Sequence, residues 1–325
     1  MRVVAAAWWH LTSTGAMTLR AQCVRSFEEE ETDMDQSILV TGSSSGFGRL
    51  IVETLARHGY TVFASMRAVA GKNVAAADEL RDLARREHLS LHVVEMDVSD
   101  DTSVEQAIES IVGMTGRLDV VVNNAGVAYS GPLEAYTVDQ ARDQFDSNVF
   151  GVLRVNRAAL PHMRRQGSGL LVQIGSIAGR VVVPFSGLYT ATKFALEGLT
   201  ESYRDELAPF GIDAAIIEPG TYPTRIAGHA VSPADPERAA LYQDAFEALT
   251  TQFFAENRSS TPPDPQEVAD AVAELIAQPA GQRPLHTVVA PVAQRTAPEA
   301  VNDAATRATR SFFEALDLPV ASLAR

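Results

Sequence analysis

From Ser37 onward, short β-branched apolar runs alternate with longer stretches whose apolar residues recur every three or four positions, and this alternation limits the possible folds most. The runs occupy residues 38–40, 61–64, 91–95, 118–122, 170–174, 214–217 and 286–290. Between them, sets such as Leu50, Thr54, Leu55 and His58, or Leu80, Leu83 and Ala84, have helical spacing. Strands apolar on both faces and separated by helices imply a parallel sheet covered on both sides. Seven of them predict an α/β, doubly wound sheet with helices on both faces, built as a single domain over residues 36–292. No internal repeat appears beyond the βα alternation.

Two regions depart from this pattern. Residues 221–265 carry Pro223, Pro233, Pro236, Pro262, Pro263 and Pro265 around an apolar stripe at Leu241, Ala245, Leu249 and Phe253, and read as an insertion holding one helix between proline-marked hinges. In the tail, residues 293–325, Phe312, Phe313 and Leu316 are expected to pack as a final helix. Arg2 and the apolar residues 3–9 imitate a secretory signal, but His10 interrupts the stretch, no small-x-small cleavage site follows, and residues 28–31 are acidic. Residues 1–35 therefore read as a disordered leader or the product of an upstream start, with Met34 opening the folded protein.

Composition narrows the partners. Of 325 residues, 46% are hydrophobic and 21% charged, which excludes disorder as the overall state. Basic against acidic residues gives 27 − 41 = −14, a balance that repels phosphate backbones and anionic membranes. No nucleic acid and no membrane is expected as a partner; a small molecule is. No apolar run approaches the roughly 18 residues of a spanning helix. The single cysteine, Cys23, allows no intrachain disulfide and no cysteine zinc site, which suits a reducing cytoplasm; no metal is expected.

The residues that can carry chemistry follow the strands. After the first comes Thr41-Gly42-Ser43-Ser44-Ser45-Gly46-Phe47-Gly48, then at once a helix pattern. Glycines there let the backbone turn tightly and a phosphate approach the helix N-terminus, where N–H groups and the helix dipole favour negative charge. Asp97-Val98 follows the third strand and Asn123-Asn124-Ala125-Gly126 the fourth, at carboxyl ends where open α/β sheets bind ligands. Taken singly, these segments also read as plain turns. Asn148 lies in a helix, Ser176 just past the fifth strand, and Tyr189 and Lys193 sit one helical turn apart on one face. A cation beside a phenol favours the phenolate and brings tyrosine towards a useful acid–base range.

In this order and spacing, the glycine turn, Asp97, the Asn-Asn-Ala-Gly segment, Asn148, Ser176, Tyr189 with Lys193, and Pro219-Gly220 resemble the short-chain dehydrogenase/reductase family over roughly residues 36–290. The glycine turn and the insertion over residues 221–265, which in this family usually covers the substrate, look most like its 17β-hydroxysteroid dehydrogenase-like oxidoreductases. The resemblance implies a Rossmann-type fold and a hydride exchanged between a nicotinamide cofactor and a ketone or secondary alcohol. It implies Tyr189 as proton donor, Ser176 as a hydrogen-bonding partner of the reacting oxygen, Lys193 as the group that lowers the tyrosine pKa and holds the ribose, and Asn148 as support for a water relay. Cofactor binding is expected at Gly42, Ser44, Ser45, Gly46, Phe47, Gly48, Arg67, Asp97, Val98, Asn124, Ala125, Gly126, Tyr189, Lys193, Pro219, Gly220, Thr221 and Thr224.

Cofactor choice is expected at the end of the second strand, where an acid about 20 residues past the glycines would hold the NAD ribose. Here the chain reads Phe63-Ala64-Ser65-Met66-Arg67, without a carboxylate, and Arg67 suits a 2′-phosphate, so NADP(H) is favoured over NAD(H). Apolar residues 181–185 and Leu188, with Tyr222, Ile226, Tyr242, Phe246, Phe253 and Phe254, suggest a steroid-, lipid- or polyketide-like ketone, though a helical stripe also reads as core packing. His229 reads as a surface residue. A catalytically silent dinucleotide-binding regulatory protein and an acyl-carrier ketoreductase are the alternatives. Family analogy makes a homodimer or homotetramer the expected assembly.

Overall fold

The computed structural model describes residues 36–228, 230–257 and 262–317; the expected leader over residues 1–35 and His229 lie outside them. The strands are β1 (Ser37–Val40), β2 (Thr61–Met66), β3 (Leu91–Glu95), β4 (Val120–Asn123), β5 (Gly169–Ile174), β6 (Ile212–Pro219) and β7 (His286–Val289). They form one sheet in the order β3-β2-β1-β4-β5-β6-β7, parallel at every pairing, as the alternation predicts.

The helices are α1 (Gly46–Arg57), α2 (Val74–Glu87), α3 (Asp101–Thr115), α4 (Val138–Phe145), α5 (Gly151–Gln166), α6 (Gly187–Leu207), α7 (Arg225–Gly228), α8 (Pro236–Ala240), α9 (Gln243–Asn257), α10 (Gln266–Ala277) and α11 (Val292–Ala315). Because side chains alternate across a strand, each strand feeds two cores. Ile38, Val40, Val120 and Val122 join the core made with α1, α2 and α10, while Leu39, Val121 and Leu171 join the one made with α3 and α5. This two-sided burial explains why the strands read as continuous apolar runs.

The chain leaves β1 towards β2 and β3, then returns to place β4 on the other side of β1. The connections therefore diverge between β1 and β4, and a crevice opens at their carboxyl ends. One side chain ties its walls together. Buried Thr41 accepts the Asn124 and Ala125 N–H groups on Oγ1 at 3.0 and 2.9 Å, and Asn124 Nδ2 returns a bond to the Thr41 carbonyl at 2.8 Å.

Two expectations change here. The described residues of 221–265 hold three helices rather than one, and Leu241, Ala245 and Leu249 point to solvent instead of packing as a stripe. In the tail α11 forms, but Phe312 and Leu316 are 61% and 52% exposed; Phe312 meets Phe313 edge to face, and the helix is anchored through buried Pro298 and Asn302.

Thr41→Val keeps the volume and leaves two backbone donors without an acceptor. It should lower unfolding stability by about 2 to 4 kcal/mol in urea titration.

Candidate active site

A cleft of about 310 Å³ opens at the carboxyl ends of the strands. One wall is the turn after β1. Gly42 has φ +69°, and a Cβ there would lie 2.8 Å from Ala125 Cα; a Cβ on Gly48 would lie 2.4 Å from Asn124 Nδ2. Ser45 begins α1 with extended backbone and no side-chain capping bond, and the first turn holds no acid. The helix dipole therefore faces the cleft uncompensated, a setting that favours an anion.

Beyond the turn, the cleft reaches Met66, Arg67, Asn73, Met96 and Asp97. Arg67 is half exposed, with Nη1 3.8 Å from Asp97 Oδ2, and Asn73 Nδ2 donates to the Arg67 carbonyl at 2.6 Å. Partial burial would raise the Asp97 carboxyl, but the Ser99 hydroxyl and backbone N–H, with Arg67 beside them, hold it below the usual range. An arginine at the mouth with most of its donors facing water can accept a further anion.

The far end of the cleft is built by β5 and α6. Ser176 follows β5 and accepts the Ala178 N–H on Oγ at 3.1 Å. Tyr189 and Lys193 lie one turn apart in the first half of α6, with the lysine ammonium 5.5 Å from the Tyr189 ring centroid. Lys193 Nζ donates to the Ile174 carbonyl at 2.7 Å. Burial pushes the Tyr189 phenol up to about 12, with Ser176 pulling the other way, and brings Lys193 down to about 8, with Glu197 supporting its charge. The expected lowering of the tyrosine by the lysine is thus reversed by the protein surroundings alone. Both groups are out of water, and the lysine directs a donor at a carbonyl. The phenol is held neutral, the form that donates a proton.

Asn148 is buried behind the wall in a π-helical segment, Asp146–Phe150, rather than in regular helix. Its Oδ1 accepts the Val127 N–H at 2.8 Å, and its Nδ2 donates to the Val127 carbonyl at 2.9 Å and to Thr192 Oγ1 at 3.1 Å. Thr192 links it to the segment between Tyr189 and Lys193.

The cleft gathers Gly42, Ser44, Ser45, Gly46, Phe47, Arg67, Asp97, Val98, Asn124, Ala125, Gly126, Ser176, Tyr189, Lys193, Pro219 and Thr224. Four expected residues stand outside its lining. Gly48 lies beneath the turn and Asn148 behind the wall, while Gly220 packs against Ala290 and the Thr221 N–H is bonded to Gln294 Oε1 at 2.8 Å. Tyr222 is not a lid residue: it is buried against Phe47 and donates to Glu267. Sequence reasoning missed Asn73, which lies in the linker before α2, and Val127 and Ala128, whose place directly after the Asn-Asn-Ala-Gly segment was the available signal.

The model of the short chain dehydrogenase family matches residues 36–234. An uncharacterized oxidoreductase of Bacillus subtilis is 36% identical, with 73% of this chain and 83% of the relative covered. A 3-ketodihydrosphingosine reductase of Bacteroides thetaiotaomicron is 31% identical, covering 80% and 89%. The crystal structure of a short-chain dehydrogenase from Streptomyces avermitilis superposes with a TM-score of 0.70 at 33% identity, covering 87% of this chain and 97% of that one.

Gly48→Ala would force Asn124 or the turn aside. Dinucleotide affinity, followed by fluorescence titration, should fall by about tenfold or more, ~1.4 kcal/mol.

Proposed function

The chain belongs to the short chain dehydrogenase family, oxidoreductases that act on CH–OH groups with NAD(P), and on that premise we propose that it reduces or forms a ketone on an apolar substrate with NADP(H). The observation that carries the reading is the meeting of Ser176, Tyr189 and Lys193 at the end of a cleft whose other wall is the glycine turn.

The residues fit such a cofactor. Gly42, Gly46 and the start of α1 border the cleft, where a Cβ at Gly42 would collide with Ala125, and Ser44 and Ser45 add hydroxyls. Arg67 supplies the fork of donors for a 2′-phosphate, and no carboxylate stands at the end of β2 to hold the unphosphorylated ribose. When bound, the nicotinamide supplies or accepts the hydride. In reduction, Tyr189 donates its proton to the oxygen that becomes an alcohol, Ser176 hydrogen-bonds that oxygen, and the Lys193 ammonium binds ribose hydroxyls and stabilises the phenolate left behind. Asn148 holds Val127 in the wall and, through Thr192, fixes the helix that carries both groups.

Apolar substrate preference is supported by the wall. Val127, Ala128 and Ile226 line the cleft, and Phe185 meets Phe246 of α9 edge to face with ring centroids 5.2 Å apart. The relative named as a 3-ketodihydrosphingosine reductase fits the same preference for a ketone on a lipid. The presence of all three reacting groups speaks against a silent regulatory protein, and the acidic chain against docking an acyl carrier protein. Among the described residues no helix is long and apolar enough to cross a membrane. A cytoplasmic homodimer or homotetramer completes the reading, with Phe150 and Phe194 exposed on the helical face that would pair.

Arg67→Ala should weaken NADPH binding by about tenfold or more and leave NADH unchanged, since it removes only the phosphate partner; equal effects on both overturn the NADP assignment. Tyr189→Phe should keep cofactor binding and lower kcat for reduction of apolar ketones by about 10² to 10⁴. Reduction should also slow as pH rises through about 8, where Lys193 loses its charge, while Tyr189 remains a proton donor up to about 12. A flat profile there would remove Lys193 from the reaction.

A further inference from the structure

The backbone that leaves β6 along the cleft is held from behind by the C-terminal helix α11, which lies beyond residues 36–234 matched by the family model. Gln294, in the first turn of α11, accepts the Thr221 N–H on Oε1 at 2.8 Å. Further along the same helix, buried Asn302 donates from Nδ2 to Glu218 Oε2 at 2.7 Å. Glu218 is fully buried at the end of β6, with its other carboxylate oxygen 3.5 Å from Arg180 Nε.

The residues between these two ties are pinned as well. The Gly220 N–H bonds the Val289 carbonyl at 2.8 Å. A Cβ on Gly220 would lie 2.6 Å from Ala290 Cβ and 2.7 Å from Gln294 Oε1, so only a glycine lets the backbone lie this close to the helix start. Tyr222 follows, with its ring on Phe47 and its hydroxyl on Glu267. Gly220, Thr221 and Tyr222 are absent from the cleft lining, whereas Pro219 before them and Thr224 after them belong to it.

At Thr224 this anchoring reaches the opposite wall. A Cβ on Gly46 would lie 3.8 Å from Thr224 Cβ, ordinary van der Waals distance, and the Thr224 N–H closes onto the Tyr222 carbonyl at 2.8 Å. Thr224 therefore stands against the start of α1, where the uncompensated helix dipole favours a phosphate. A backbone bonded at successive residues has little freedom left at its end, so the ties at 218–222 decide where Thr224 lies.

We propose that α11 is a working part of the cleft: Gln294, with Asn302 behind it, is a positioning residue that holds the backbone at 218–221 and so fixes Thr224 against the glycine turn for a bound dinucleotide. This role rests on the function proposed above, which places the dinucleotide there. It demands of position 294 only an acceptor for one N–H. Gln294→Glu keeps that acceptor, and its charge suits the first turn of a helix. Gln294→Met keeps the length but offers no oxygen, which leaves the Thr221 N–H to water and the segment untied.

Two measurements on the full chain test this together: hydrogen exchange of residues 218–224 in ligand-free protein, followed by mass spectrometry, and NADPH affinity, followed by fluorescence titration. Gln294→Met should speed exchange of the segment and weaken NADPH binding, each by about fivefold, while Gln294→Glu should stay within about twofold of wild type in both. Unchanged exchange in Gln294→Met overturns the proposal, and so does faster exchange with unchanged NADPH affinity. An equal loss in Gln294→Glu overturns it too, because a retained acceptor must rescue a role that needs only an acceptor. Gln294→Ala, which adds no bulk, must behave as the methionine variant does, so a methionine variant that fails to fold leaves the answer readable. Wild-type protein that binds neither NADPH nor NADH strikes the cofactor reading and this role with it, and the wild-type titration alone reveals that.

Discussion

The structure depends on a hydrogen-bonding obligation at the crevice between β1 and β4. Two parallel strands that part company at their carboxyl ends leave backbone donors with no ladder to join, and a buried N–H without a partner is costly. Thr41 meets two of them with one oxygen, and Asn124 answers from the opposite side with bonds to the carbonyls of Thr41 and Gly42. The cleft can stay open because its rim is satisfied internally. The glycines follow from the same closeness: at Gly42 and Gly48 the two walls approach within a distance that no side chain survives.

How much of this was legible in the chain depends on the range of the interaction. The seven strands and their parallel pairing were readable because each strand, buried on both faces, leaves a continuous apolar run, and helices leave a three-and-four spacing. The glycine turn, Asp97, the Asn-Asn-Ala-Gly segment, Ser176 and the Tyr189–Lys193 pair sit beside those elements, so position along the chain told their position in space. That Gly220 and Thr221 stand outside the cleft lining was not legible, because a glycine beside a motif looks the same whether it faces the cleft or Ala290 and Gln294. Tyr222 was misread for a similar reason: an aromatic residue in an insertion does not disclose that its ring turns back onto Phe47. The stripe at Leu241, Ala245 and Leu249 failed because periodicity says that one face is apolar, not that anything covers it.

The charged groups were the least legible, because their state depends on distant parts of the chain. Tyr189, Lys193, Glu197 and Glu201 recur every four residues on α6 and descend from the cleft towards the outer edge of the sheet. A cation–phenol pair in sequence suggests a lowered tyrosine, yet burial acts on both groups against charge and wins for both. Further along the same face, Glu197 and Glu201 are the same residue type one turn apart and are driven in opposite directions. Glu197 meets Glu218 in a dry interior, while Glu201 meets Arg180 and His286 near water. No pattern along the helix carries that distinction. It arises from β6 and β7, which arrive some 20 and 90 residues later and choose what each carboxylate faces.

The insertion over residues 221–265 follows a different logic from the cleft walls. Val231 of the insertion pairs with the loop after β4: its N–H bonds the Ala128 carbonyl at 2.9 Å, and its own carbonyl accepts the Ser130 N–H at 3.2 Å. Tyr242 donates to Glu134 at 2.6 Å, and Phe246 rests on Phe185. Phe185 is held at φ +60°, a left-handed conformation that a bulky residue adopts at a cost of about 1–3 kcal/mol unless its surroundings compel it. Here the compelling contacts are the Gly131 N–H on its carbonyl at 2.7 Å and the ring of Phe246. Four residues before Tyr189, the backbone is therefore kept in a costly shape by contacts with the insertion and with the loop after β4. Contacts made by the insertion are thus mechanically continuous with the helix that carries Tyr189, so the insertion and Tyr189 cannot be arranged independently.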